Sequence, residues 1–198
     1  MRFITLVLVT LSFAFSTPSM SSDSYAIVKK IRGVAKVNNK ELKEGDRIEI
    51  GSIINARGKG NFIDIEIKPN HGAVRIVNGE FELKKISNTT SIYNLLFGKA
   101  FSYFNKTDKS NIQINTKQAS FSVRGTKFLA EQLEDDRSFL CVCDGVVEAK
   151  NSSGKSANVK AGEEVFITKN DPKFVDEINM RDMTKLKSIF KDMGYPVK

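Results

Sequence analysis

The only two cysteines of the chain stand two residues apart, as Cys141-Val142-Cys143. In a strand their side chains leave on the same face, with Cα atoms about 6.6 Å apart. Their Cβ atoms then cannot reach the roughly 4 Å that a disulfide requires unless the strand bulges. As metal ligands they supply half a site, and the one histidine, His71, is far away in sequence. They read as two reduced core residues. A single histidine also leaves no clustered-histidine metal centre and no Ser-His-Asp set beyond His71. No Gly-rich phosphate loop precedes a helix. Glu134-Asp135-Asp136 puts acids side by side, but on a hydrophilic loop such acids are ordinarily solvated. The chain therefore reads as non-enzymatic, with no catalytic residue, no metal ligand and no cofactor. The candidate binding residues are Arg124 and Thr126, in Val123-Arg124-Gly125-Thr126. Arg124 could grip a carboxylate or phosphate through its planar fork. The favoured structural reading makes Gly125 a bend or bulge and pairs Arg124 with a nearby acid such as Asp144 or Glu131.

The elements that position these residues are strands. Phe62-Ile63-Asp64-Ile65-Glu66-Ile67, Ala73 to Val77, Phe81-Glu82-Leu83, Ile112-Gln113-Ile114, Ser120 to Val123 and Val165-Phe166-Ile167 alternate with period two, the mark of half-buried strands. Turn residues separate them, including Glu44-Gly45-Asp46, Asn78-Gly79, Asp144-Gly145 and Asn151 to Gly154. Asn78-Gly79 between apolar runs is the strongest hairpin signal. Ser91 to Phe97 is open between a helical turn and a strand. There is also an internal echo. Gly33-Val34 leads to Leu42-Lys43-Glu44-Gly45-Asp46, and Gly145-Val146 leads to Val159-Lys160-Ala161-Gly162-Glu163. The shared glycine before an acid predicts a tight turn at positive φ.

Both ends of the chain differ from this body. Met1-Arg2 and the apolar run Phe3 to Phe15, broken by Ser16-Thr17-Pro18, have the form of a secretory signal. Cleavage is expected after Ser16, or as late as Ser21. No later stretch is apolar enough to span a bilayer, so the mature chain is expected to carry no transmembrane segment. The chain has 31 Lys and Arg against 23 Asp and Glu, scattered among one another, which argues against nucleic acid as a partner. After Thr168, Asn170-Asp171-Pro172 can start a helix. Met183, Leu186, Phe190 and Met193 recur at helical spacing before Gly194 and Pro196 stop it. This tail is expected to dock on the β-domain and cover an edge, or else to serve a partner.

Several of these features resemble FecR domains in kind and order: Gly33-Val34, Leu42 with Gly45-Asp46, Gly51-Ser52-Ile53-Ile54, His71 to Ile76, Leu95 to Ala100, Phe121 to Phe128, and the turns at Gly145 and Gly162. The most specific is Val123-Arg124-Gly125-Thr126. The resemblance covers roughly residues 27–168. It implies a compact periplasmic β-domain, solenoid-like or sandwich-like. It makes Gly33, Gly45, Val123, Arg124, Gly125, Thr126, Gly145 and Gly162 structural motif positions. Founding members of the family are anti-sigma regulators. Here the apolar segment opens the chain, where they carry a cytoplasmic region, so direct sigma-factor control is not expected.

The expectation is thus a mainly β protein: a signal peptide over residues 1–16, a FecR-type β-domain over 25–168 and a helical tail over 169–198. It would act in the periplasm or outside the cell, as a module that binds an envelope protein or a cell-wall component. The alternative is a carbohydrate- or peptidoglycan-binding module, for which Tyr93, Tyr103 and Tyr195 are the available aromatics.

Overall fold

The structure is a computed structural model that describes residues 24–68, 72–87, 89–106, 111–168, 172–177 and 180–197. The expected leader and His71 lie outside these residues. The chain is mainly β with one short C-terminal helix, α1 (Met180–Asp192). Its strands form one open sheet that two long strands fold into two wings. These are β7 (Gly72–Ile86) and β8 (Thr90–Tyr103). The first wing holds β2 (Lys36–Val37), β3 (Lys40–Glu41), β5 (Ile53–Asn55), the second half of β7, the first half of β8, β9 (Asn111–Asn115), β10 (Ala119–Val123), β13 (Val146–Asn151) and β14 (Ser156–Lys160). The second holds β1 (Tyr25–Arg32), β4 (Arg47–Glu49), β6 (Phe62–Lys68), the other halves of β7 and β8, β11 (Lys127–Gln132), β12 (Ser138–Asp144), β15 (Glu163–Ile167) and β16 (Pro172–Glu177). Inward side chains of both wings, from Val28 and Ile65 to Phe121 and Val147, share one buried core. The arrangement is sandwich-like, and pairing is antiparallel except between β8 and β9.

The bend explains why Asn78-Gly79 is not the hairpin its sequence suggests. β7 runs straight through it, with Asn78 at φ 43° and a register break between Val77 and Glu80. Opposite, Gly98 lies at φ +80°, where a Cβ would sit 2.3 Å from the Asn78 carbonyl oxygen. Both long strands therefore kink at one place, and only glycine fits between them. Ser91 to Phe97 belongs to β8, as the strand reading had it.

Most other connections are corners at which the chain leaves one wing for the other. Gly33 joins β1 to β2 and Gly45 joins β3 to β4. Gly125 joins β10 to β11, Gly145 joins β12 to β13, and Gly162 joins β14 to β15. The sequence echo is a repeated unit. β1 pairs with β4 as β12 pairs with β15, and β2 pairs with β3 as β13 pairs with β14. Gly45 N–H donates to the Val28 carbonyl at 2.9 Å, and Gly162 N–H donates to the Val142 carbonyl at 2.9 Å. Both glycines have φ +89°.

The tail is only partly the helix expected of it. Pro172, read as a helix start, opens β16 on the edge of β15. A proline is tolerated at the first residue of an edge strand, and the unpaired backbone of β15 supplies a partner that isolated helix propensity ignores. α1 then packs on a face of the sheet, not its edge. Leu186 and Phe190 are buried, with Met183, Ile189 and Met193 beside them, against Phe101, Leu129, Cys141 and Cys143 on the outer face of the second wing.

Candidate functional site

Val123-Arg124-Gly125-Thr126 is the corner between β10 and β11. Val123 is buried in the core. Gly125 has φ +65°, and a Cβ there would come within 2.6 Å of the Lys106 Cα. The Thr126 carbonyl accepts a hydrogen bond from Phe104 N–H at 3.1 Å. The neighbouring corner packs on it, since a Cβ on Gly145 would meet Thr126 Cγ2 at 2.7 Å. Three segments thus close on one point, and the two glycines let their backbones approach.

The corner splits the two candidate binding residues. Thr126 is 1% exposed, and its hydroxyl has no hydrogen-bond partner among the described residues. It lines a cleft of about 520 Å³ with Tyr103, Lys106, Lys127, Cys143 and Asp144. Arg124 is exposed on the other side, in a cleft of about 440 Å³ with Asn111, Ser122, Val146, Glu148 and Asn158. The expected partners of Arg124 are engaged elsewhere. Asp144 lies 3.8 Å from Lys106 and 3.7 Å from Lys127, and Glu131 lies 3.2 Å from Lys99. Among the described residues Arg124 makes no ion pair. The bend turns its side chain away from the acids that the sequence places nearby.

Arg124 stands at the end of a broad polar face. Strand register sets Ile92, Gln113, Ser122, Glu148 and Asn158 in one row across the first wing. The next row holds Asn94, Asn115, Ser120, Lys150 and Ser156. Val146, 48% exposed, is the apolar side chain beside Arg124. The side chains are short and mostly uncharged, and β14 borders the face as an edge strand.

The opposite wing carries a second row, covered by α1: Cys141, Leu129, Phe101, Arg75, Asp64 and Lys30. Arg75 is 5% exposed. Its Nε and Nη2 donate to Asp64 at 2.6 and 2.7 Å, and Nη2 also donates to Asp192 at 2.6 Å. Lys30 reaches Asp192 at 3.1 Å. Burial opposes the Arg75 charge, but Asp64 and Asp192 more than offset it and its pKa is raised. The hydrogen bond from Arg75, with that from Lys30, holds the Asp192 carboxyl below the usual range. This clasp pins the end of α1. Its sequence signal was an arginine among apolar residues in Ala73-Val74-Arg75-Ile76, whose alternation puts Arg75 on the face away from the main core.

Cys141 and Cys143 are free and buried, on that same covered face. Their contact with each other, with burial, pushes the Cys141 thiol up. The same contact holds Cys143 down, against burial. Of the aromatics considered for sugar stacking, Tyr93 is fully buried and lies parallel to Phe81 and Phe104. Tyr103 and Tyr195 stack on each other at 4.3 Å. Among the described residues no group of three or more His, Cys, Asp or Glu is placed to hold a metal. No described helix is long and apolar enough to cross a membrane.

Comparison with known proteins supports the resemblance read from the sequence. Residues 80–148 match the family model described as FecR protein. This segment runs from the second half of β7 into β13 and contains the Arg-Gly-Thr corner. No curated protein matches the chain by sequence. A 1.65 Å crystal structure of a proposed anti-sigma factor from Parabacteroides distasonis ATCC 8503 is similar in fold, with 16% identity and a TM-score of 0.51. The similarity covers 64% of this chain and 66% of that one, so the chain spans just under two thirds of that protein's length. A 2.50 Å structure under the same description, from the same organism, has 14% identity and a TM-score of 0.47 over 87% of this chain and 74% of its own.

Proposed function

We propose that this chain is an exported, non-enzymatic interaction module of the bacterial envelope, and that it binds a protein partner through the polar face of its first wing. The observation that carries the reading is the FecR match over residues 80–148. That stretch builds most of the face, with Arg124 at its rim in a cleft that Glu148 also lines and with no ion pair to it among the described residues. Ser, Asn and Gln side chains, with Glu148 and Lys150 among them, surround one arginine and one exposed valine and offer directed hydrogen bonds to a partner. Arg124 supplies a charged fork suited to a partner carboxylate. The edge strand β14 offers unpaired backbone groups to an added strand. The anti-sigma description of the Parabacteroides distasonis protein fits a role in signal transfer, which we place at a step remote from the sigma factor itself. Sugar stacking is disfavoured by the burial of Tyr93 and the mutual stacking of Tyr103 and Tyr195.

The test is capture from native envelopes with tagged protein, comparing the parent with Arg124→Glu and Val146→Asp. Both substitutions are on exposed side chains. A companion protein held by the parent and reduced at least tenfold in both variants supports the reading. Equal capture by all three, or retention on purified peptidoglycan alone, contradicts it.

A further inference from the structure

The repeated unit offers an internal control for the cysteine pair. Because Val28 and Val142 accept the same bond in the two copies, Ile27 and Lys29 occupy the positions of Cys141 and Cys143. The fold is built with an aliphatic and an amine at those places, so its architecture does not itself call for sulfur. In the second copy the inward residues Leu140 and Val142 enter the main core, while both cysteines face outward beneath α1. They are 1% and 7% exposed and make no disulfide. The register with β11 slips by one residue at Cys143, since Lys127 opposes Asp144 and Phe128 opposes Val142. This bulge re-aims the second thiol. Met183, Leu186 and Phe190 roof the pair.

From this geometry we infer that Cys141 and Cys143 form a two-thiolate site for a soft monovalent cation of the Cu(I) class, closed over by α1. Two sulfurs that share one ion lie roughly 4.6 Å apart, twice a metal–thiolate bond. Residues i and i+2 of a strand carry their side chains on one face from Cα atoms about 6.6 Å apart, and even with the bulge at Cys143 the two thiols remain free and not joined at the ~2 Å of a disulfide. A four-ligand zinc centre needs donors that the described residues do not supply. A two-coordinate ion needs only the thiolates, and Cu(I) is among the soft metals that thiolates favour. The dry apolar roof keeps water and hard ligands away, and Met183 adds a soft thioether to the same cluster. The surrounding charge is mixed: Glu164 and Asp182 act on Cys141, while Asp144 opposes Lys127 and Lys187 at Cys143. Binding changes no oxidation state. One ion displaces two thiol protons, and two metal–sulfur bonds form.

The test uses the full reduced protein, titrated anaerobically with Cu(I) held by a chromophoric chelator. The expected result is withdrawal of one ion per chain, release of about two protons and a raised melting midpoint. Cys141→Ala and Cys143→Ala should each weaken binding at least a hundredfold, and Lys59→Ala, an exposed position far from the pair in sequence, should bind like the parent. Far-ultraviolet circular dichroism checks that the alanine variants fold. Should one fail to, the corresponding Cys141→Ser or Cys143→Ser variant takes its place. Failure to withdraw the ion, one ion shared by two chains, undiminished binding in either cysteine variant, or closure of the pair to a disulfide under these conditions would overturn the assignment.

Discussion

At the residue scale the two most constrained places are a glycine and an arginine. Gly125 combines φ +65° with a close approach to the Lys106 backbone. A β-branched residue is excluded from that backbone region, so Gly125→Val should destabilise the protein by at least 1–3 kcal/mol, on the order of the strain at such sites. Chemical denaturation reads this directly, and an unchanged midpoint would mean that the corner can reshape. Arg75 is the buried cation. Asp64→Asn leaves it underpaired and should cost about 3–5 kcal/mol. Asp192→Asn removes a half-exposed partner while Asp64 remains, and should cost about 1 kcal/mol or less. Equal losses in the two variants would contradict the assignment of Asp64 as the principal counter-ion. The Gly125 bend was legible in the sequence because glycine before a new strand has few other uses. The fate of Arg124 was not, because side-chain direction at a corner depends on the angle between wings that no local pattern encodes.

At the scale of elements, α1 is held by an apolar stripe along its length and an ionic clasp at its end. The stripe Met183, Leu186, Phe190 and Met193 was readable from spacing alone, but its destination was not. Docking on a face required knowing that Cys141, Leu129 and Phe101 align across three strands. The hairpin expected at Asn78-Gly79 failed for the same reason. A bulge and a turn share their residue preferences, and only the facing Gly98 decides between them. Deleting residues 178–198 removes the helix and leaves β16. The truncated protein should keep its β-type circular dichroism, melt earlier and expose both cysteines to a thiol reagent, whereas the intact native protein should react slowly. Unchanged melting would show that the stripe serves a partner. The clasp also has a pH dependence. Because Asp192 is depressed in the folded state, its contribution is present above the unfolded carboxylate range near pH 4 and is lost as pH falls through the lower folded value. The melting midpoint of the parent should therefore fall below about pH 4, and the difference between the parent and Asp192→Asn should shrink there.

At the scale of the whole molecule, the two wings have different duties. The second is roofed by α1 and clasped shut, while the first leaves a polar face open around Arg124 and Val146. The mainly β class and the repeated glycine corners could be read from alternation and from the echo of Gly45 and Gly162. The folding of one sheet into two wings could not, because it arises from long-range pairing along β7 and β8. Export is a separate prediction: protein recovered from the envelope should begin between Thr17 and Ser24, and an intact Met1 in the membrane fraction would refute it. The proposal that the open face binds a partner is tested most directly by site-specific photo-crosslinking in living cells. A photoreactive residue at Ser122, in the centre of the open face, should capture a discrete protein partner. The same residue at Lys29, exposed on β1 of the second wing, should capture little. Adducts of equal yield and identity at both positions, or none at Ser122, would contradict the account.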